Sequence, residues 1–141
     1  NNFRHRDVGY ESCCLLAHIY MDKQSFHFRA IDFLEVALEI LPERTELSKY
    51  KVAQTHLKLG TLYNSYACAK YLTPNFPQES VTASLFAVTE LFPMSHTHLK
   101  KAFRQVINDE SAKSLSMRVV AEMIENWKCW IFVTGFEPIQ D

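Results

Sequence analysis

Three groupings of side chains are spaced for chemistry. Cys14 and His18 stand at i, i+4, which puts a thiol and an imidazole on one helical face. That spacing can activate a thiolate or start a metal site. Nothing nearby in sequence adds two more ligands, so the favoured reading is that they fill a core or a groove. His96-x-His98 is the one local histidine pair. Alternate residues on a helix point roughly 200° apart, so an exposed polar helix start is favoured over a shared metal. Lys100, Lys101 and Arg104 put three cations on one side of a helix. Such a face is either simply solvated or suited to an acidic peptide or a phosphate.

Catalysis finds little else to use. There is no H-E-x-x-H, no G-x-S-x-G and no glycine-rich phosphate loop, and only 3 glycines occur in 141 residues. Cys13, Cys14, Cys68 and Cys129 form no C-x-x-C and read as free thiols of a reducing compartment. No metal and no cofactor is expected. The net charge of −1 gives no overall field for nucleic acid, and no aromatic stacking motif interleaves with the cations. No apolar run approaches the ~20 residues of a membrane span. The chain starts Asn1-Asn2 without methionine and reads as part of a longer, intracellular protein, cytoplasmic or nuclear.

The elements that would position these groups are helices. Hydrophobic residues make up 48% and charged ones 22%, and 3 glycines with 5 prolines supply few turns. After a polar lead at 1–9, a first helix is expected over about 10–21, with Cys13, Leu16, Ala17 and Tyr20 on one face. The turn falls at 22–25. A second helix, about 28–41, carries Ala30, Phe33, Leu34, Ala37 and Leu38, and Pro42 ends it. A polar connection follows, with Thr45 or Ser48 as N-cap. A long third helix, about 46–71, holds Gly60. A helical glycine costs ~1 kcal/mol against alanine, so Gly60 calls for close packing against a partner helix. Pro74 and Pro77 make a stiff loop. Ser80 caps a fourth helix over about 81–91, closed by Pro93. Ser95 caps a fifth over about 96–107. A sixth starts at 108–111 and carries Leu115, Val119, Val120, Met123, Ile124 and Trp127. The tail from Val133 reads as loop or a short cap.

Two segments share one order of residues. Leu16-Ala17-x-x-Tyr20, Ala30-x-x-x-Leu34-x-x-Ala37 and Pro42 are matched by Leu59-Gly60-x-x-Tyr63, Val81-x-x-x-Leu85-x-x-Val88 and Pro93. This resembles the tetratricopeptide-repeat (TPR) superfamily. The entries of the helices at 46–53 and 79–82 are also similar to the N-terminal repeats of the seventh subunit of the anaphase-promoting complex. That likeness would imply a dimerising scaffold in a ubiquitin-ligase assembly. The fold expected is all-α: antiparallel helix pairs stacked as a short, irregular TPR-like solenoid in a single domain over 1–141. The pairs fall at 10–42, at 46–93 with an insertion, and, without the motif, at 95–132. A single irregular helical bundle is the alternative.

The resemblance implies a concave groove lined by the first helix of each pair. Its positions would be Glu11, Cys14, His18 and Met21, then Gln54, Leu57, Lys58, Thr61 and Asn64, then Lys100, Lys101 and Arg104. Cys14 and His18 stand where chaperone-binding members carry Lys and Asn, which argues against a carboxylate clamp. Met21 and Leu57 suit a partly apolar ligand such as a helix. Trp127, Trp130 and Phe132, with Ile131, either close the core or form a docking face for a further repeat or another subunit. The function expected is a non-enzymatic adaptor or scaffold that binds a protein partner or peptide segment, or self-associates. The alternatives are a helical regulatory domain of a larger enzyme and a helical nucleic-acid-associated factor.

Overall fold

The computed structural model describes residues 2–21, 27–40, 46–72 and 86–135, and among these it is all-helical. The helices are α1 (Asn2–Met21), α2 (His27–Ile40), α3 (Glu46–Leu72), α4 (Phe92–Val106) and α5 (Lys113–Gly135). A π-helical turn (Ala87–Leu91) leads into α4, and a 3-10 turn (Glu110–Ala112) leads into α5. The expected features at 22–25, Pro42 to Thr45, Pro74 to Pro77, Ser80 to Leu85 and the tail beyond 135 lie outside the described residues.

α2 and α3 lie where their apolar stripes put them. α1 starts earlier than expected, because the polar lead is itself helical, and Gly9 lies against Ile40 at ordinary contact distance. Ser48 falls inside α3 and does not precede it. Residues 133–135 continue α5 and are not loop.

The main departure is at Pro93. It ends no helix: helical geometry runs unbroken from Phe86 to Val106. Proline has no N–H and its ring crowds the carbonyl four residues back. The π-helical turn accommodates this by widening the ladder just ahead of the proline, with the Phe92 N–H donating to the Ala87 carbonyl. Pro93 then stands at the second residue of α4, directly after the widened turn, which leaves room for its ring. Ser95 is consequently no N-cap but a buried residue within the helix, and its hydroxyl donates to the Gly60 carbonyl at 2.6 Å.

Directions follow from which residues meet. α1 and α2 run antiparallel, with Tyr20 stacked on Phe33 at 5.7 Å and Gly9 against Ile40. α3 and α4 run antiparallel in the most extensive contact of the fold, with His56 on His98 and Gly60 on Ser95. α4 and α5 run antiparallel, with Phe92 stacked on Trp130 at 6.3 Å and His96 beside Trp127. α1 and α3 are parallel, because Glu11 pairs with Lys51 and Cys14 reaches Thr55 one turn further along both. α3 and α5 are parallel too. Thr61 meets Glu122, Asn64 meets Asn126 and Cys68 meets Cys129, with nearly constant separation. So α1, α3 and α5 all point one way, and α2 and α4 the other.

Three apolar clusters hold this arrangement. Ala17, Ala30, Ile31, Leu34, Leu59 and Leu62 join α1, α2 and α3. Ala53, Leu57, Leu99, Ala102, Val106, Leu115 and Val119 join α3, α4 and α5. Ala67, Ala87, Leu91, Phe92 and Val133 close the other end. Phe92, Leu34, Leu59, Leu99 and Val119 are fully buried, each worth about 1.5–3 kcal/mol in surface removed from water. Gly60 sits where α3 crosses α4. A Cβ there would lie 2.5 Å from Leu99 Cγ, which is the close helix contact the glycine calls for.

Candidate functional site

The parallel pairing of α3 and α5 leaves a cleft of about 430 Å³ lined by Leu57 and Thr61 on one wall and by Arg118, Ala121, Glu122 and Glu125 on the other. Leu57, which is buried in the cluster that also holds Leu115 and Val119, and Ala121 are its apolar lining residues; the rest of the lining is polar. Its rim is charged. Glu122 is half-buried, and burial pushes its carboxyl above the usual range, helped by the nearby charge of Glu125. The Thr61 hydroxyl and the Arg118 guanidinium oppose that shift. A carboxylate kept short of full solvation gains from a cationic or hydrogen-bond-donating ligand group. Lower down, Asn126 is fully buried and donates to Asn64 Oδ1 at 3.4 Å and to the Phe92 carbonyl at 3.2 Å. This amide pair ties the two walls together at one end of the cleft.

The groove positions named from sequence divide among several places. Leu57 and Thr61 line the cleft. Gln54 and Lys58 are half-buried elsewhere on α3, and Asn64 is the buried amide partner. On α1, Glu11 is exposed and pairs with Lys51. Cys14 and Met21 pack half-buried against the α1–α2–α3 cluster. Burial raises the Cys14 thiol above its ordinary range, the opposite of an activated nucleophile. His18 is exposed at the end of α1. Lys100, Lys101 and Arg104 are exposed on α4, whereas the second wall of the cleft belongs to α5. Arg118, Ala121, Glu122 and Glu125 were not singled out by the sequence reading.

His96 and His98 are not an exposed polar helix start. His98 is buried, with Nδ1 2.9 Å from His56 Nδ1 and Nε2 3.4 Å from Glu35 Oε1. Tyr63 donates to Glu35 Oε2 at 3.2 Å and stacks on the His98 ring at 5.7 Å. The His98 Nε2–H faces Glu35, and the hydrogen between the two Nδ1 atoms is donated by whichever ring carries it. Burial, the His98 charge and Lys101 push His56 down to about 4. The Glu35 carboxyl is held below its usual range by its bond to His98. This chain couples α2, α3 and α4 inside the fold. Among the described residues, no group of three or more His, Cys, Asp or Glu could hold a metal ion.

The C-terminal aromatics are split. Trp130 turns inward onto Phe92. Trp127 is 45% exposed and its Nε1–H donates to His96 Nδ1 at 3.3 Å. Phe132 is exposed. The outer face of α5 carries a longer stripe, in which Met117, Val120, Ile124, Trp127 and Ile131 are all exposed at alternating steps of three and four. That is the heptad spacing of a helix seam. A second exposed set, Val8, Leu15 and Ile19, lies on α1.

Comparison with protein-family models, with curated proteins and with solved structures finds no match to this chain. Among the described residues, no helix is long and apolar enough to cross a membrane.

Proposed function

We propose that this chain is a non-enzymatic, TPR-like scaffold that holds a segment of a partner protein in the cleft between α3 and α5. The observation that carries the reading is the parallel, in-register pairing of those two helices around an open cleft that exposes charged side chains beside Leu57. Alternate helices pointing the same way, with the intervening helices reversed, is the arrangement a stack of helix pairs produces. A cleft walled by equivalent helices of neighbouring pairs is a natural seat for an extended or helical segment. Leu57 supplies the apolar contact, while Arg118, Glu122 and Glu125 select charge on the ligand. The Glu35–His98–His56 chain spans three helices, with both imidazoles buried and Glu35 half-buried, which suits holding the helices together better than meeting a substrate.

Selection of a displayed random-peptide library on the wild-type chain, followed by titration of the enriched peptides, tests this reading. The expected peptides combine an apolar residue with a Lys or Arg, and they lose at least about tenfold in affinity on Ala121→Trp, which fills the cleft from an exposed position. Peptides that bind the Ala121→Trp variant as well as the wild type would place the binding surface elsewhere.

Self-association is a second reading, favoured by the heptad stripe on α5. A mass that rises with concentration in light scattering, and falls back to monomer on Ile124→Glu, would support it.

A further inference from the structure

We propose that Cys68 and Cys129 are a disulfide-forming pair that bolts α3 to α5 beyond the end of the cleft. Cys68 lies two helical turns after Thr61, and Cys129 lies two turns after Glu122. Because the two helices are parallel and in register, residues that follow a contacting pair by the same interval meet again. The thiols do meet: they are in hydrogen-bonding contact, and both pack half-buried on the Ala67–Phe92–Val133 cluster. The Asn64–Asn126 bond holds the same two helices together one turn earlier. Cys13 and Cys14 lie on α1, in a different part of the fold.

The oxidant is a small disulfide of the glutathione type. One cysteine sulfur, as thiolate, attacks a glutathione-disulfide sulfur and expels one glutathione thiolate. The second cysteine loses its proton to solvent and displaces the remaining glutathione from the mixed disulfide. Two protein S–H bonds and one external S–S bond become one internal S–S bond and two glutathione thiols, and the glutathione sulfurs gain the two electrons. Burial pushes both thiols up, Cys129 to about 12, so exchange is slow near neutrality and quickens as the pH rises. The Cys129 thiol also donates to Glu125 Oε1 at 3.7 Å, so the bridge removes a contact made by a cleft-lining carboxylate. The bridge fixes the spacing of the two walls whether or not the cleft binds a peptide.

The test incubates the purified chain with glutathione disulfide at pH 8.5, then digests it without reduction and maps the peptides by mass. The expected product is a monomer carrying one Cys68–Cys129 cross-link, with Cys13 and Cys14 still able to react with alkylating reagent. The Cys13→Ser/Cys14→Ser variant cross-links equally, whereas Cys129→Ser stops at a glutathione adduct. Oxidation should raise the unfolding midpoint of the wild type by about 5–10 °C and leave that of Cys129→Ser unchanged. Glutathione adducts on Cys68 and Cys129 without a cross-link, or a cross-link running through Cys13 or Cys14, would overturn the proposal.

Discussion

His56 shows how burial turns a residue into a condition on folding. Its ordinary pKa of 6.5 is pushed down to about 4 in the folded chain. Above about 6.5 both the folded and unfolded forms are neutral, and the site is indifferent to pH. Between about 6.5 and 4 the unfolded chain takes up a proton that the native state refuses, so stability falls as pH falls. The Glu35 carboxyl, held low by His98, acts in the same direction at lower pH, because its contribution is lost as it protonates. Urea unfolding should therefore show a loss of about 2 kcal/mol from pH 7.5 to pH 4.5, with His56→Gln flattening the slope. A wild-type stability that stays level over that range would contradict the burial of a neutral His56. The sequence offered no route to this site. Glu35, His56 and His98 come from three helices, and only tertiary packing brings them together.

At the scale of elements, Gly60 decides how closely α3 and α4 approach. In an isolated helix Gly60→Ala would stabilise by ~1 kcal/mol. Here the new methyl would meet Leu99, which is fully buried and has no free space to rotate into. Overpacking of this kind costs about 1–3 kcal/mol, so the net expectation is a loss of about 1 kcal/mol. Chemical denaturation checks it, and a stabilised variant would mean that the crossing is looser than described. That glycine was legible in sequence because it stands inside an otherwise regular apolar stripe. The bounds of α2 and α3 were legible for the same reason. Pro93 was not, since a proline inside a helical pattern ordinarily marks a stop. The π-helical turn that carries the chain past it leaves no trace in the periodicity. One misread boundary then had a wide effect. It made 96–107 the first helix of a pair, and so assigned groove positions to Lys100, Lys101 and Arg104. With α4 continuous through Pro93, the helix that pairs in parallel with α3 is α5, and the residues on the cleft are Arg118, Ala121, Glu122 and Glu125.

At the scale of the whole molecule, the described residues form three parallel helices braced by two reversed ones, with two kinds of opening at the surface. The cleft between α3 and α5 is recessed, with Leu57 beside a charged rim. The stripes on α1 and α5 are open apolar faces. A partner could use either, and binding energy concentrates where a side chain becomes fully desolvated, which favours the recess. Only half of that recess could be read from the sequence. Leu57 and Thr61 belong to the better-marked helix pair, whereas the wall from α5 lies in a segment without the repeat spacing. The most direct test is an amide-resolved NMR titration of the chain with a library-selected peptide. Shifts are expected to concentrate at Leu57, Thr61, Ala121, Glu122 and Glu125. Shifts confined to Met117, Ile124 and Ile131, or to Lys100, Lys101 and Arg104, would contradict binding in the cleft.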